Sequence, residues 1–111
     1  MKVSVVICAY TEEMYDHFQE AVESIFAQTY DDIELVLVSD GNDPLYERMQ
    51  ADYADRANVM IHCNEENVGL SGSRNNALEH VSGDIVALID DDAVADEEWV
   101  EELVSVYESR D

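Results

Sequence analysis

The sequence predicts an α/β domain in which a mainly parallel sheet carries helices on both faces. Three observations lead to this. Four short apolar runs alternate with amphipathic segments along the chain, the pattern of repeated βα units. None of these runs has a helical period, as strands covered on both sides require. Turn-forming residues gather where the runs end, where a chain must leave its sheet.

The first strand is Val3 to Ala9, apolar and rich in β-branched residues. Between Glu13 and Gln28 the apolar positions Met14, Phe18, Val22, Ile25 and Phe26 form one stripe with acids opposite, which predicts an amphipathic helix. Ile33 to Val38 is the second strand and runs into the turn formers Ser39 to Asp43. Pro44 suits the first turn of a helix reaching about Arg56. Val59 to Cys63 is a short third strand. The polar, glycine-containing stretch Asn64 to Gly72 then leads into a helix through about Val81, with Gly83 just beyond its end. Ile85 to Ile89 is a fourth buried strand ending in three aspartates. A last helix, Glu97 to about Ser109, turns Trp99, Val100, Leu103, Val104 and Tyr107 inward. Right-handed crossovers leave this βαβαβαβα order few other topologies.

The chain's 111 residues, 47% of them hydrophobic, suit a single domain with its own core. No apolar run approaches the roughly 18 residues that cross a bilayer, and the start lacks the h-region of a signal peptide. A cytoplasmic location is the expectation. Charge is the dominant global feature: 27 acidic residues face 5 basic ones, a formal net charge of −22. Such a surface repels nucleic acid and anionic lipid. Its single lysine, Lys2, and its acid-crowded helices resemble proteins of salt-accumulating archaea. Cys8 and Cys63 are too few for a disulfide framework and have no metal-ligand spacing with His17, His62 or His80. They read as buried free thiols, and the histidines as surface or structural residues.

In open parallel sheets, ligands bind outside the carboxyl ends of the strands, near the point where strand order reverses. The unusual polar clusters all fall on that rim: Tyr10-Thr11-Glu12, Asp40 to Asp43, Asn67 to Asn76, and Asp90 to Asp92. With 13 aspartates in the chain, a run of three arises by chance in roughly one chain in six of this composition, so position must carry the argument. Like charges about 5 Å apart on a strand end repel by on the order of 3 kcal/mol at an effective dielectric of 20, a cost that a divalent cation removes. Carboxylates suit Mg²⁺ or Mn²⁺, with positions left open for phosphate oxygens. If strand geometry continues, Asp90 and Asp92 point to one side and Asp91 to the other. In the Asn67 to Asn76 loop, glycines allow close backbone approach and the following helix N-terminus favours an anion. Arg74, a cation kept at the rim of a very acidic protein, is suited to countering phosphate or bonding a base.

Together these residues resemble glycosyltransferase family 2, an inverting family with the GT-A fold, a Rossmann-like nucleotide-binding half. The resemblance runs the whole length: Val-Ser-Val-Val-Ile-Cys-Ala-Tyr, Val-Ser-Asp-Gly-Asn-Asp, Asn-Val-Gly-Leu-Ser-Gly-Ser-Arg-Asn, and Leu-Ile-Asp-Asp-Asp before a Trp-containing helix. It implies that residues 1–111 bind a nucleotide-diphospho-sugar donor. Ala9, Tyr10 and Glu12 would border the nucleoside, and Asp40 would bond the base. Arg74 would assist at the base or diphosphate, and Asn67 would also contact the donor. Asp90 and Asp92 would be the Asp-x-Asp pair that serves ribose, metal and diphosphate and holds Mg²⁺ or Mn²⁺, with Asp91 beside them as a further donor-binding residue. The family often has Pro and Asp where this chain has Cys8 and Ser39.

The resemblance further implies an acceptor half supplying the catalytic base, which is expected beyond Asp111, and a lipid-phosphate or glycan acceptor. Membrane association, at the inner face, would then come only through other regions or the acceptor. A non-catalytic nucleotide-binding or regulatory domain is the alternative. A receiver domain would need paired acids after the first strand and an Asp after the third, where this chain has Cys8-Ala9-Tyr10 and Asn64. A dinucleotide-binding dehydrogenase would need Gly-x-Gly-x-x-Gly after the first strand, which is missing.

In molar salt the Debye length falls to roughly 3 Å and the self-repulsion of the acidic surface is screened. The domain is therefore expected to unfold when desalted. Circular dichroism checks this, and a native spectrum in dilute, metal-free buffer would contradict it.

Overall fold

The structure is a computed structural model that describes residues 1–109. Its elements follow the predicted order: β1 (Val3–Ala9), a 3-10 turn (Glu12–Met14), α1 (Tyr15–Phe26), β2 (Ile33–Ser39), α2 (Asp43–Tyr53), β3 (Val59–Cys63), α3 (Gly69–Ala77), β4 (Ile85–Ile89) and α4 (Trp99–Glu108). The strands form one parallel sheet in the order β3-β2-β1-β4, with Val3 opposite both Ile33 and Ile85. The strand order reverses at β1, because the chain must cross β2 and β1 to reach β4. A right-handed crossover in that new direction carries α3 to the face opposite α1 and α2.

Alternation along β1 divides the core in two. Val3, Val5, Ile7 and Ala9 pack with Tyr15, Phe18, Val22 and Ile25 of α1, Leu45 and Met49 of α2, and Val100 and Val104 of α4. Val6 and Cys8, on the other face, meet Val36, Val38 and Ala77, with Val81 at the margin. Three helices therefore cover one face and α3 alone covers the other. β1 is buried along its whole length, as predicted.

Ser4, a polar residue in this apolar run, is fully buried because its hydroxyl donates to Glu34 Oε2 (2.6 Å) and accepts from the Gly83 N–H (2.8 Å). Glu34 also accepts from the Ser82 N–H and hydroxyl, with Lys2 Nζ 3.7 Å away. A Cβ at Gly83 would lie 2.6 Å from Ser4 Oγ, so the α3–β4 connection closes onto the sheet only with glycine there.

Several expectations are corrected. β4 is not buried on both faces: Val86 and Leu88 are 37% and 44% exposed, because α3 lies over β1 and β2 and leaves this flank open. Tyr107 is exposed rather than inward. Cys8 is a buried thiol, but Cys63, at the end of an edge strand, is only partly buried. α3 begins at Gly69 inside the stretch read as a loop, and its regular part ends at Ala77, short of Val81. Among the described residues, no helix is long and apolar enough to cross a membrane.

Candidate functional site

The carboxyl ends of β1 and β2 are held together by backbone hydrogen bonds that continue past the strands. The Asp40 N–H donates to the Ala9 carbonyl (2.9 Å), and the Asn64 N–H donates to the Ser39 carbonyl (3.0 Å). Asn42 bridges to the first strand end through Nδ2 and the Tyr10 carbonyl, while its Oδ1 caps α2 by accepting the Leu45 N–H. Gly41 between them has φ +71°, and a Cβ there would fall 2.4 Å from the Asn67 backbone nitrogen. Only glycine lets the 66–67 backbone approach so closely.

Asp40 is the centre of the arrangement. It is 5% exposed, and its carboxylate accepts from the Val68 N–H (2.8 Å) and the Asn64 amide (3.0 Å) at one oxygen and from the Gly69 N–H (2.9 Å) at the other. The N-terminus of α3 has no cap from its own neighbouring residues. Asp40, nearly thirty residues earlier in the chain, supplies one. Burial would raise the carboxyl's pKa, but the bonds from Val68, Asn64, Gly69 and Ser73 outweigh it and hold Asp40 below the usual carboxylate range. The anion favoured at this helix start is thus a side chain of the protein itself.

A cavity of 240 Å³ opens beside this carboxylate, lined by Cys8, Ala9, Tyr10, Asp40, Asn67, Gly69, Leu70 and Ser73. Four predicted residues, Ala9, Tyr10, Asp40 and Asn67, meet there. Glu12 does not line it; it is exposed on the 3-10 turn after β1. Tyr10 is 64% exposed, its ring standing at the mouth. Sequence reasoning named neither Asn64, which holds Asp40 from behind the cavity, nor Ser73, which lines it within the Asn67 to Asn76 stretch. The only available signal was that both are polar in segments that must pack against the sheet.

Arg74 and the aspartates form a second cluster on the same rim. Arg74 Nη2 lies 3.1 Å from Asp90 Oδ1, tying α3 to the end of β4. The strand does not continue through the triplet: β4 stops at Ile89, and the Ala93 N–H donates to the Asp90 carbonyl, closing a turn. The strict alternation expected for Asp90, Asp91 and Asp92 therefore does not apply. Asp91 is partly buried, and burial followed by repulsion from Asp92 and Asp90 raises its pKa. Cys8 links the two clusters. Burial pushes its thiol up to about 11, Arg74 opposes this, and Asp40 and Asp91 add to it.

Among the described residues, no three His, Cys, Asp or Glu side chains converge as a metal cage. Mg²⁺ asks for less, since it is commonly held by one or two carboxylates together with substrate phosphates and water. The carboxylates of Asp90 and Asp92, exposed on the turn after β4, are a donor set of that kind.

Comparison with known proteins supplies a frame for this geometry. The family described as Glycosyl transferase family 2 matches residues 4–111. A glucosyl-dolichyl phosphate glucuronosyltransferase of Haloferax volcanii is 52% identical over 109 residues, which are 98% of this chain and 35% of that protein. The chain therefore spans about a third of that relative's length. Residues 1-349 of TarS from S. aureus superpose with a TM-score of 0.85 at 23% identity, covering 98% of this chain and 33% of that one. The mannosyltransferase PcManGT from Pyrobaculum calidifontis, solved with GDP-Man and Mn²⁺, gives 0.69 at 27% identity over 84% of this chain and 28% of its own.

Asp40's depressed pKa carries a pH signature. A carboxylate lowered by folding contributes stability above its unfolded value of roughly 3.9, and that contribution disappears as pH falls through the lower folded value. Asp40→Asn should be less stable than the wild type at pH 7, and the gap should close as pH drops below about 4. Denaturant unfolding in molar salt across that range is the check.

Proposed function

The chain belongs to glycosyl transferase family 2, and on that premise we propose that it is the donor-binding half of an inverting, metal-dependent glycosyltransferase. The observation that carries this reading is the cavity at the switch point of the sheet, with an ionised, buried carboxylate in its wall. Asp40 can only accept hydrogen bonds and so favours a base whose pairing edge carries a ring N–H, as uracil (N3–H) and guanine (N1–H) do and cytosine and adenine do not. Ala9, Tyr10 and Asn67 border that nucleoside, with Glu12 on the outer side of the mouth. The diphosphate extends toward Arg74, which exchanges Asp90 for phosphate oxygens, and Asp91 faces the ribose.

Asp90 and Asp92 are the residues that would hold Mg²⁺ or Mn²⁺. When bound, the cation supplies charge neutralisation for the departing nucleoside diphosphate. This chain's own residues bind and orient the donor so that one face of the anomeric carbon is open. An acceptor hydroxyl forms the new C–O bond there as the bond to the diphosphate breaks, with inversion. Its proton passes to a base outside residues 1–111. The acceptor we propose is a lipid-phosphate-linked sugar or glycan, and the donor a nucleotide-linked hexuronic acid; both are supported by the name of the Haloferax relative. A cytoplasmic position, reached by the acceptor at the inner membrane face, belongs to the same proposal.

Calorimetry with UDP-glucuronic acid, UDP-GlcNAc and GDP-mannose in molar KCl tests this. UDP-glucuronic acid should bind most tightly in the presence of Mn²⁺, and chelation or Asp92→Asn should weaken it roughly tenfold or more, about 1.4 kcal/mol. Equal affinity with and without Mn²⁺ would contradict the metal-dependent reading.

A further inference from the structure

We infer that Asn64 is a positioning residue for base recognition: from behind the cavity it fixes the Asp40 carboxylate and the Ser73 hydroxyl in the places from which they face the donor. The inference rests on the donor-pocket reading above and assigns a role to a residue that does not itself line the cavity.

Asn64 is 4% exposed at the end of β3, and every one of its side-chain polar atoms is used. Nδ2 donates to Asp40 Oδ1 (3.0 Å) and to Ser73 Oγ (2.9 Å), and Oδ1 accepts from Asn76 Nδ2 (2.9 Å). Its backbone N–H is taken by Ser39. Chemistry fixes which way the amide points, because an ionised carboxylate has no proton to give and must meet the nitrogen. Turning the amide over would set oxygen against oxygen.

This one side chain therefore joins the ends of β2 and β3 to two positions along α3. Two of its partners, Asp40 and Ser73, line the cavity, and the third, Asn76, lies on the far side with Asn64 in a separate, more open pocket. Few other side chains could do this. An aspartate would place a second negative charge beside Asp40, and an aliphatic residue would leave Ser73 and Asn76 without their buried partner. Asp40 keeps its bonds from Val68 and Gly69 without Asn64. What it loses is the bond that fixes its orientation from the strand side. Base selection should then suffer more than folding.

The test compares uridine diphosphate with cytidine diphosphate in the full chain, with Mn²⁺ in molar KCl. Uracil presents N3–H to the carboxylate, whereas cytosine presents a bare ring nitrogen. If the wild type prefers purines, guanosine and adenosine diphosphates replace them for the same reason. The wild type should favour the base with the ring N–H roughly tenfold or more, and Asn64→Ala should reduce that ratio to about twofold, as Asp40→Asn should. Should Asn64→Ala fail to fold, Asn76→Ala, which removes the bond to the amide oxygen and so loosens the side chain, should lower the ratio about threefold. A variant that binds both nucleotides more weakly at an unchanged ratio overturns the inference, as does a wild type that binds without base preference. A wild type that binds no nucleoside diphosphate overturns the donor-pocket reading itself.

Discussion

The carboxylate of Asp40 on the first N–H groups of α3 is the contact on which the rest of the site depends. Three of the four strand ends converge there: β1 through the bond from the Asp40 N–H to Ala9, β2 through Asp40 itself, and β3 through Asn64. α3 alone covers its face of the sheet, and its short length gives it little packing with which to fix its own direction. A charge at its N-terminus compensates, both as a cap and as a partner for the helix dipole. The same contact sets one wall of the cavity. Fold and binding surface therefore share one interaction, and the stability of α3 cannot be separated from the shape of the pocket.

The acidic composition acts against this arrangement, and the few cations are spent where they offset it. All four basic residues among the described residues are engaged. Lys2 meets Glu34 at the amino ends of the strands, Arg48 lies over the Tyr15 ring, Arg56 over the Phe26 ring, and Arg74 pairs with Asp90. Only Arg74 stands at the rim where a phosphorylated ligand would arrive. Pairing with Asp90 limits repulsion inside the aspartate turn and ties α3 to the end of β4. Exposed ion pairs of this kind contribute little to stability, about 0–1 kcal/mol. Their placement matters more here than their strength.

Most of the fold was legible because the strands are buried and apolar. β1, β3 and β4 run between the residues the sequence indicated, and β2 gains only Ser39. Helix starts were harder to read for a definite reason. α2 carries a local cap in Asn42 and has Pro44 in its first turn as read, although it ends at Tyr53 rather than near Arg56. α3 and α4 lack one: Asp40 serves the first, and Gln28 Oε1 accepts the Val100 N–H at the second. A cap supplied from a distant element leaves no local pattern. The exposed flank of β4 was illegible for a similar reason, since an apolar strand does not reveal how far the single helix above it extends. Within the candidate site, the rim rule placed Asp40, Arg74 and the aspartates at the carboxyl ends of the strands, where the structure has them. Asn64 and Ser73 went unnoticed because their role is to hold a neighbour.

The central claim is that Asp40 anchors the start of α3 and so builds the pocket wall. Amide hydrogen exchange at Val68 and Gly69, followed by NMR in molar salt, measures that most directly. These N–H groups at a helix start have no intrahelical partner and would ordinarily exchange quickly. The account predicts slow exchange in the wild type and fast exchange in Asp40→Ala while the strand amides stay protected. Fast exchange at both positions in the folded wild type would contradict it.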